Sequence, residues 1–131
     1  MAVPIRRCDD EEIKQAISNQ FTYMILEGDH LIGAFTLSPI QSEWDIHIFG
    51  VEDVADSLYL HRLAITPRYI GRGIGKNMFQ WIHENIQTDK IYLKLDYMAH
   101  NTKLNQFYQN TRFDKIGETD SHSKYLKRIR G

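Results

Sequence analysis

The sequence predicts a single domain of the mixed α+β class, and three observations support this fold. The chain has 131 residues, enough for one hydrophobic core and too few for two independent ones. Strand-like apolar segments occur along most of the chain, and two helix-patterned segments interrupt them in its second half. Turn residues separate these segments, with no linker, repeat or low-complexity tract in the sequence. This order favours a sheet of short strands with helices packed against it.

The amino-acid composition limits the classes of partner that the protein is expected to bind and the cellular compartment in which it is expected. Hydrophobic residues make up 42% and charged residues 25% of the chain, as in an ordinary soluble protein. A net charge of −1 provides no field for non-specific binding to nucleic acid. The single cysteine, Cys8, cannot form an internal disulfide, and neither a signal-peptide pattern nor an apolar run of about 20 residues is present. We therefore expect a cytoplasmic protein without nucleic-acid or membrane partners.

The first half of the chain is predicted to contain one helix followed by four strands. Asp9 or Asp10 is a suitable cap for the helix, whose apolar residues at 13, 16 and 17 share one face. The residues Glu27-Gly28-Asp29 are predicted to form the turn of a first hairpin. The four strand segments are the two parts of 21–37 on either side of that turn, then 40–49 and 57–65, with a polar loop at 50–56.

The second half is predicted to alternate helices and strands. Apolar residues recur every four positions from Ile74 to Ile86, which is typical of an amphipathic helix. Asn101 is a suitable cap for a shorter helix. The remaining predicted strands are 91–98, 113–118 and 124–129, the last two joined as a hairpin through 119–123.

The segment from Leu60 to Lys76 carries the clearest functional pattern. An apolar strand ends at Ile65, a Thr-Pro turn follows, and glycines at 71, 73 and 75 lead directly into a helix. Glycines allow a backbone to approach a ligand closely, and a helix start adds unpaired N–H groups and the positive end of a dipole. This combination predicts an anion site for a phosphate or pyrophosphate.

Two common phosphate-binding motifs do not fit this spacing. The dinucleotide pattern G-x-G-x-x-G fails because Lys76 stands three residues after Gly73. The P-loop fails because Ile70 occupies the place of its first glycine, and Asn77 replaces the Ser or Thr that would bind magnesium.

The loop resembles that of the GNAT-type N-acetyltransferases, which reads [Q/R]-x-x-G-x-[G/A] and fits residues 70–75. A second segment, L-K-L-D at 93–96 followed by 101–113, resembles the family pattern L-x-L-D…N-x-x-A-x-x-F-Y-x-x-x-G-F. The matching positions are Asn101, Phe107, Tyr108 and Phe113, and the departures are Ile70 at the usual Gln or Arg, Leu104 at the usual Ala and Arg112 at the usual Gly.

The resemblance implies a mixed, mostly antiparallel, twisted sheet flanked by helices on both faces, formed by residues 1–131 as one acetyltransferase domain. It also implies that the chain binds acetyl-CoA (coenzyme A), with the loop N–H groups on its pyrophosphate. The cofactor-binding positions carried over are Leu63, Ala64, Ile65, Ile70, Gly71, Arg72, Gly73, Ile74, Gly75, Lys76, Asn101 and Tyr108. Arg68 and Arg72 are candidates to replace the charge that Ile70 lacks.

Acetyl transfer from a thioester to an amine needs a proton donor for the leaving sulfur and an N–H group for the developing oxyanion. The resemblance implies that Tyr108 is the general acid and that an N–H from residues 63–65 binds the oxyanion. His61 is the candidate general base, because Tyr59, His61 and Leu63 share one face of the predicted strand; a packed or solvated histidine is the alternative. Asp45 and His47 are predicted to share a face of the preceding strand.

We therefore expect an N-acetyltransferase that acts on a primary amine by direct attack and needs no metal, since the histidines at 83, 100 and 122 lack ligand spacing. The acceptor would be a small-molecule or peptide amine, and a homodimer is one of the assemblies that the sequence leaves open. The alternatives are use of a longer acyl-CoA, a non-catalytic CoA-binding sensor or interaction module on the same fold, and a nucleotide-phosphate binder.

Overall fold

A computed structural model describes residues 5–7 and 21–130. The predicted N-terminal helix and Cys8 lie outside these residues. The strands are β1 Ile5–Arg7, β2 Thr22–Glu27, β3 His30–Ser38, β4 Ser57–Ile65, β5 Tyr92–Met98, β6 Asp114–Thr119 and β7 His122–Arg128. The helices are α1 Glu43–Phe49, α2 Ile74–Asn85 and α3 Thr102–Asn110, with a short 3₁₀ turn at Pro67–Tyr69. None of the helices in these two ranges is long and apolar enough to cross a membrane.

The strands are hydrogen-bonded in the order β1-β2-β3-β4-β5-β7-β6. The β1–β2, β2–β3, β5–β7 and β6–β7 pairs are antiparallel, and β4 pairs with β5 in parallel. The predicted mixed, mostly antiparallel sheet is therefore confirmed. The described residues form two compact units, one of residues 5–7, 21–37 and 60–86 and one of residues 38–59 and 87–130.

In the first unit, β2 and β3 form the predicted hairpin. Gly28 has a φ of 60°, which glycine adopts without the steric penalty of a Cβ. The ring of Tyr23 on β2 stacks on Phe35 of β3 at 5.3 Å and meets Trp81 of α2 edge-on at 5.6 Å. The buried apolar residues of these three elements are Ile25, Ile32, Phe35, Leu37, Ile74, Met78, Phe79 and Ile82. The predicted amphipathic stripe of α2 is thus its buried face.

Gly33 lies where β3 approaches the end of β4. A Cβ added at this position would lie 2.9 Å from the carbonyl oxygen of Ala64 and 3.2 Å from the side chain of Ile25. Real Cβ atoms do not come this close to a carbonyl oxygen. Because the neighbour on one side is backbone, the clash cannot be relieved by turning a side chain.

We expect Gly33→Ala to lower the free energy of unfolding by about 1–3 kcal/mol, the usual cost of forcing extra atoms into a packed interior. Urea unfolding would measure this change. Ala34→Ser, at the next position of β3, is the matched control and should change stability by less than about 0.5 kcal/mol. Equal stability of Gly33→Ala and the unmodified protein would contradict the close approach.

In the second unit, β5, β7 and β6 form an antiparallel sheet with a helix on each face. Tyr108 of α3 packs against Tyr125 of β7 with ring centroids 5.4 Å apart. On the other face, Trp44 of α1 meets His122 of β7 edge-on at 4.9 Å. The expectation of helices on both faces of the sheet is therefore confirmed in this unit.

The turn between β6 and β7 is tighter than predicted. Asp120 and Ser121 have φ values of 50° and 60°, the left-handed pair of a two-residue hairpin turn. The hairpin pairs Thr119 with His122, so β7 begins at His122 rather than at Lys124. As a result, His122 is a strand residue with a fixed direction.

The prediction of a strand at 40–49 was wrong, because most of this segment is helix α1. Ser42 caps the helix: its side chain accepts a hydrogen bond from the Asp45 N–H, and the Asp45 side chain accepts one from the Ser42 N–H. This reciprocal pair outweighs the apolar alternation that suggested a strand. Asp45 and His47 consequently do not share a strand face, since Asp45 is buried in the cap while His47 is exposed.

Candidate active site

The glycine-rich loop connects the end of β4 to α2 in the first unit. Gly71 and Gly73 have φ values of 83° and 81°, a left-handed conformation that side chains disfavour. An added Cβ would meet nothing within 4 Å at either glycine. The left-handed backbone conformation, rather than a lack of space for a side chain, therefore explains why glycine occupies both positions. Gly75 lies inside the first turn of α2, so the three alternate glycines are not equivalent.

The first turn of α2 presents backbone N–H groups that its own helix does not use. Gly73 is the N-cap residue and provides no side-chain cap. The first intrahelical bond runs from the Asn77 N–H to the Gly73 carbonyl at 3.0 Å. The N–H groups of Ile74, Gly75 and Lys76 precede that bond, and a helix offers them no carbonyl partner. With the positive end of the helix dipole, they form a suitable site for an anion.

Tyr69 connects the glycine-rich loop to β2 through its side chain. Its buried hydroxyl donates a hydrogen bond of 2.7 Å to Glu27 Oε1 of β2. The guanidinium groups of Arg68 and Arg72 each lie 5.2 Å from the centroid of the Tyr69 ring. Ile70 between them is 67% exposed. Two positive charges are thus held beside the position where the family usually has its own Gln or Arg.

The end of β4 departs from a regular strand. Arg62 has a φ of 53°, a left-handed value that residues other than glycine seldom adopt, but exposure still alternates along the strand as expected for His61 and Leu63 on one face. His61, Leu63 and Ile65 are half-buried, while Arg62 and Ala64 are exposed. Irregularities of this kind redirect backbone N–H and side-chain groups next to functional sites. The predicted oxyanion segment, Leu63 to Ile65, forms the last three residues of β4.

Tyr108 lies on α3 in the second unit, and Asn101 is the N-cap residue of that helix. Asn101 caps this helix as predicted, because its side-chain oxygen accepts a hydrogen bond of 3.0 Å from the Leu104 N–H. The family's usual glycine is Arg112 here, and it has a φ of 73°. The chain therefore keeps the left-handed helix end without the glycine, and the Phe113 N–H donates to the Tyr108 carbonyl at 3.1 Å.

Tyr108 is buried among aromatic rings. The rings of Tyr97, Phe107, Phe113 and Tyr125 have centroids 5.4–6.2 Å from its own. Burial, followed by the nearby Tyr97, Tyr125 and Asp96, raises the pKa of Tyr108 to about 12. The hydroxyl consequently keeps its proton throughout the neutral range, as a proton donor must.

The sequence did not indicate one cluster on the opposite face of the β5–β7 sheet. Asp96 Oδ2 accepts a hydrogen bond of 3.0 Å from Trp44 Nε1 and lies 2.9 Å from His122 Nδ1. His47 Nε2 lies 3.1 Å from Asp120 Oδ2 beside it. Within 5–7 and 21–130, no three His, Cys, Asp or Glu side chains are arranged to bind a metal ion. Only an alternation argument placing Asp96 and His122 on one sheet face could have hinted at this cluster.

Comparison with known proteins identifies the family. Residues 3–113 match the model of the acetyltransferase (GNAT) family. The chain is 30% identical over 110 residues to the uncharacterized N-acetyltransferase YesJ of Bacillus subtilis (strain 168), and this match covers 83% of the chain. It covers 61% of YesJ, so the chain spans less than two thirds of that relative.

Solved structures have the same fold. A GNAT-family acetyltransferase from Listeria monocytogenes is 27% identical, with a TM-score of 0.73 over 92% of this chain and 71% of that protein. PaiA N-acetyltransferase from Thermoplasma acidophilum, solved with coenzyme A, has a TM-score of 0.71 at 14% identity, covering 98% of this chain and 99% of that one. At that identity the likeness shows the fold alone. From the family match and these relatives together, the chain belongs to the GNAT acetyltransferase family.

Proposed function

We propose that this protein is an N-acetyltransferase that moves an acetyl group from acetyl-CoA to a primary amine by direct attack. The observation that supports the cofactor best is the start of α2, where left-handed Gly71 and Gly73 precede three N–H groups without helical partners. A pyrophosphate fits such a cradle because it accepts hydrogen bonds and carries negative charge. Arg68 and Arg72 add positive charge beside it.

Each part of the reaction has a candidate residue. Bound acetyl-CoA would supply the thioester that the amine attacks. An N–H group from Leu63 to Ile65 would donate to the oxygen of the acetyl group as negative charge develops on it. Tyr108 would donate its proton to the leaving sulfur. The pKa of Tyr108, raised to about 12, supports this role because the donor is protonated in the resting enzyme.

A non-catalytic CoA-binding module on the same fold is the second candidate function. Ile70 favours it, since an exposed apolar side chain stands where the family usually places a polar one. Such a module would bind CoA through the same backbone groups and would release no thiol. Turnover therefore separates the two candidates, whereas binding does not.

A thermal-shift experiment with acetyl-CoA, CoA and ATP tests the proposed cofactor. Acetyl-CoA and CoA at about 100 times their dissociation constants should stabilise the folded state by about 2.7 kcal/mol, which appears as a rise in the melting temperature. ATP at the same concentration should have a clearly smaller effect. Stabilisation by ATP alone would contradict the proposal and favour a nucleotide-phosphate binder.

A further inference from the structure

The side chain of Asn105 on α3 joins three elements of the second unit. Its amide nitrogen donates hydrogen bonds to the carbonyl of Met98, the last residue of β5, at 3.0 Å and to that of Asn101, the cap of α3, at 2.6 Å. Its amide oxygen accepts a hydrogen bond from the hydroxyl of Tyr125 on β7. Because carbonyl oxygens only accept, the NH2 group must face both carbonyls and the amide oxygen must face the tyrosine.

Tyr125 depends on this hydrogen bond because it is completely buried. Its exposed fraction is 0%, and a buried hydroxyl that lacks a partner destabilises the folded state. The family pattern N-x-x-A-x-x-F-Y leaves position 105 open, so the resemblance assigns no role to Asn105. The pairing of Asn105 with Tyr125 is therefore a feature of this chain that the family pattern does not explain.

Asn105 lies between the two α3 positions of the proposed site. Asn101 stands four positions before it and Tyr108 three positions after it, spacings that place side chains on one face of a helix. On one side, the amide and the backbone N–H of Asn105 both donate to the Asn101 carbonyl. On the other side, the ring of Tyr125 contacts the ring of Tyr108, with centroids 5.4 Å apart. The buried pair thus contacts both residues.

The contacts of Asn101 leave one of its polar groups available to a ligand. Its N–H donates to the Met98 carbonyl at 3.1 Å, and its side-chain oxygen accepts from the Leu104 N–H at 3.0 Å. The side-chain NH2 group forms no hydrogen bond with any residue of 5–7 or 21–130, and Asn101 is only half-buried. A carbonyl or phosphate oxygen of a bound molecule can accept from this group.

We propose that Asn105 and Tyr125 are positioning residues, which hold Asn101 and Tyr108 in the geometry that acetyl transfer requires. The proposal rests on the proposed acetyltransferase function and adds two residues to it. Both residues act through α3, because their hydrogen bonds fix its first turn against β5 and β7. A displacement of about 1 Å can slow an enzyme about 10²-fold, so loosening this turn should slow turnover even when the fold persists.

A double variant separates positioning from stability. Tyr125→Phe leaves the Asn105 oxygen unpaired, and Asn105→Leu leaves the buried hydroxyl unpaired, so each substitution alone should lower the urea midpoint of unfolding. Replacing both partners by apolar groups can be nearly neutral, so the double variant should regain most of the midpoint. Its kcat for thiol release should stay about 10–100 times below that of the unmodified protein. Recovery of kcat together with the midpoint would show a purely structural role and overturn the proposal.

Thr36→Val is the matched control for Tyr125→Phe. It removes a buried hydroxyl that forms a hydrogen bond of 3.0 Å with Thr22 in the β2–β3 hairpin. This variant should lower the urea midpoint without slowing turnover. A loss of kcat in Thr36→Val as large as that in Tyr125→Phe would also overturn the proposal, because turnover would then follow stability alone.

Nuclear magnetic resonance of the protein without acetyl-CoA provides a readout that needs no turnover. Tyr125→Phe should shift the signals of the Leu104 N–H and of the Asn101 side-chain NH2 group, and Thr36→Val should leave both unchanged. Unchanged signals in Tyr125→Phe would overturn the coupling between Tyr125 and the cap. Failure of the proposed function would appear differently, as no thiol release by the unmodified protein with any amine.

Discussion

Tyr108→Phe is expected to slow release of CoA thiol by about 10²–10⁴, the usual contribution of a positioned proton donor. The substitution keeps the ring that packs against Tyr97, Phe113 and Tyr125 and removes only the hydroxyl. The leaving thiolate would then depart without a proton. Because the hydroxyl has a pKa of about 12, the loss should be of similar size at every pH up to about 10.

Binding and turnover must be measured on the same Tyr108→Phe protein. Titration with CoA should give a dissociation constant within about twofold of the unmodified value, because the pyrophosphate contacts proposed for the loop backbone do not involve the Tyr108 hydroxyl. The matched control is Tyr92→Phe, which removes the hydroxyl of a half-buried tyrosine at the first residue of β5. This variant should keep full activity. Full activity in Tyr108→Phe would refute its role as the general acid.

Gly73→Ala is expected to weaken CoA binding about tenfold or more. A side chain at a φ of 81° costs about 1–2 kcal/mol, so the backbone should turn away from this conformation. Turning the N-cap residue rotates the N–H groups of Ile74 and Gly75, and each lost hydrogen bond to the pyrophosphate costs about 1 kcal/mol or more. Calorimetric titration with CoA would measure the change in dissociation constant.

Gly28→Ala is the matched control for Gly73→Ala. Gly28 also has a positive φ, of 60°, and open space where a Cβ would stand, but it lies in the β2–β3 turn. Both variants should lose a similar free energy of unfolding, about 1–2 kcal/mol, and only Gly73→Ala should lose CoA affinity. Equal CoA affinity in the two variants would exclude the loop backbone as the pyrophosphate site.

Features that depend on neighbours along the chain could be predicted from the sequence. Each of these features depends on residues that are close together in the sequence. Examples are the strand at 57–65, the loop glycines and the cap at Asn101. Local pattern was misleading at 40–49, where apolar alternation concealed the reciprocal cap of Ser42 and Asp45. The spacing of Ser42 and Asp45 follows the pattern of a capping box, with Asp in place of Glu. The sequence therefore contained a signal for a helix start, but the apolar alternation was given more weight.

The cluster around Asp96 could not be predicted in the same way. Its hydrogen bonds join residues 26 and 52 positions apart, and two of its members come from elements that were predicted incorrectly. Trp44 lies on the helix that was expected to be a strand, and His122 lies in what was expected to be a loop. A site built by α1, β5 and β7 depends on tertiary packing, which no single sequence window contains.

Two departures from the family pattern, Arg112 and Ile70, differ in their structural consequences. Arg112 adopts the left-handed conformation of the glycine that it replaces, with a φ of 73°, so the helix end is preserved. Ile70 contributes no charge, but Arg68 and Arg72 are both held on Tyr69 beside it. The loop therefore keeps positive charge beside the backbone groups that we propose bind the pyrophosphate.

The most direct test of acetyl transfer is mass spectrometry of amines incubated with the protein and acetyl-CoA. The panel should contain a polyamine, an aminoglycoside, free amino acids and peptides with a free N-terminus. We expect at least one amine to gain a single acetyl group, with one CoA thiol released for each product molecule and with Tyr108→Phe as the slow control. If CoA stabilises the protein but none of these amines is acetylated, the result would contradict the proposed acetyltransferase activity. It would favour the non-catalytic CoA-binding module.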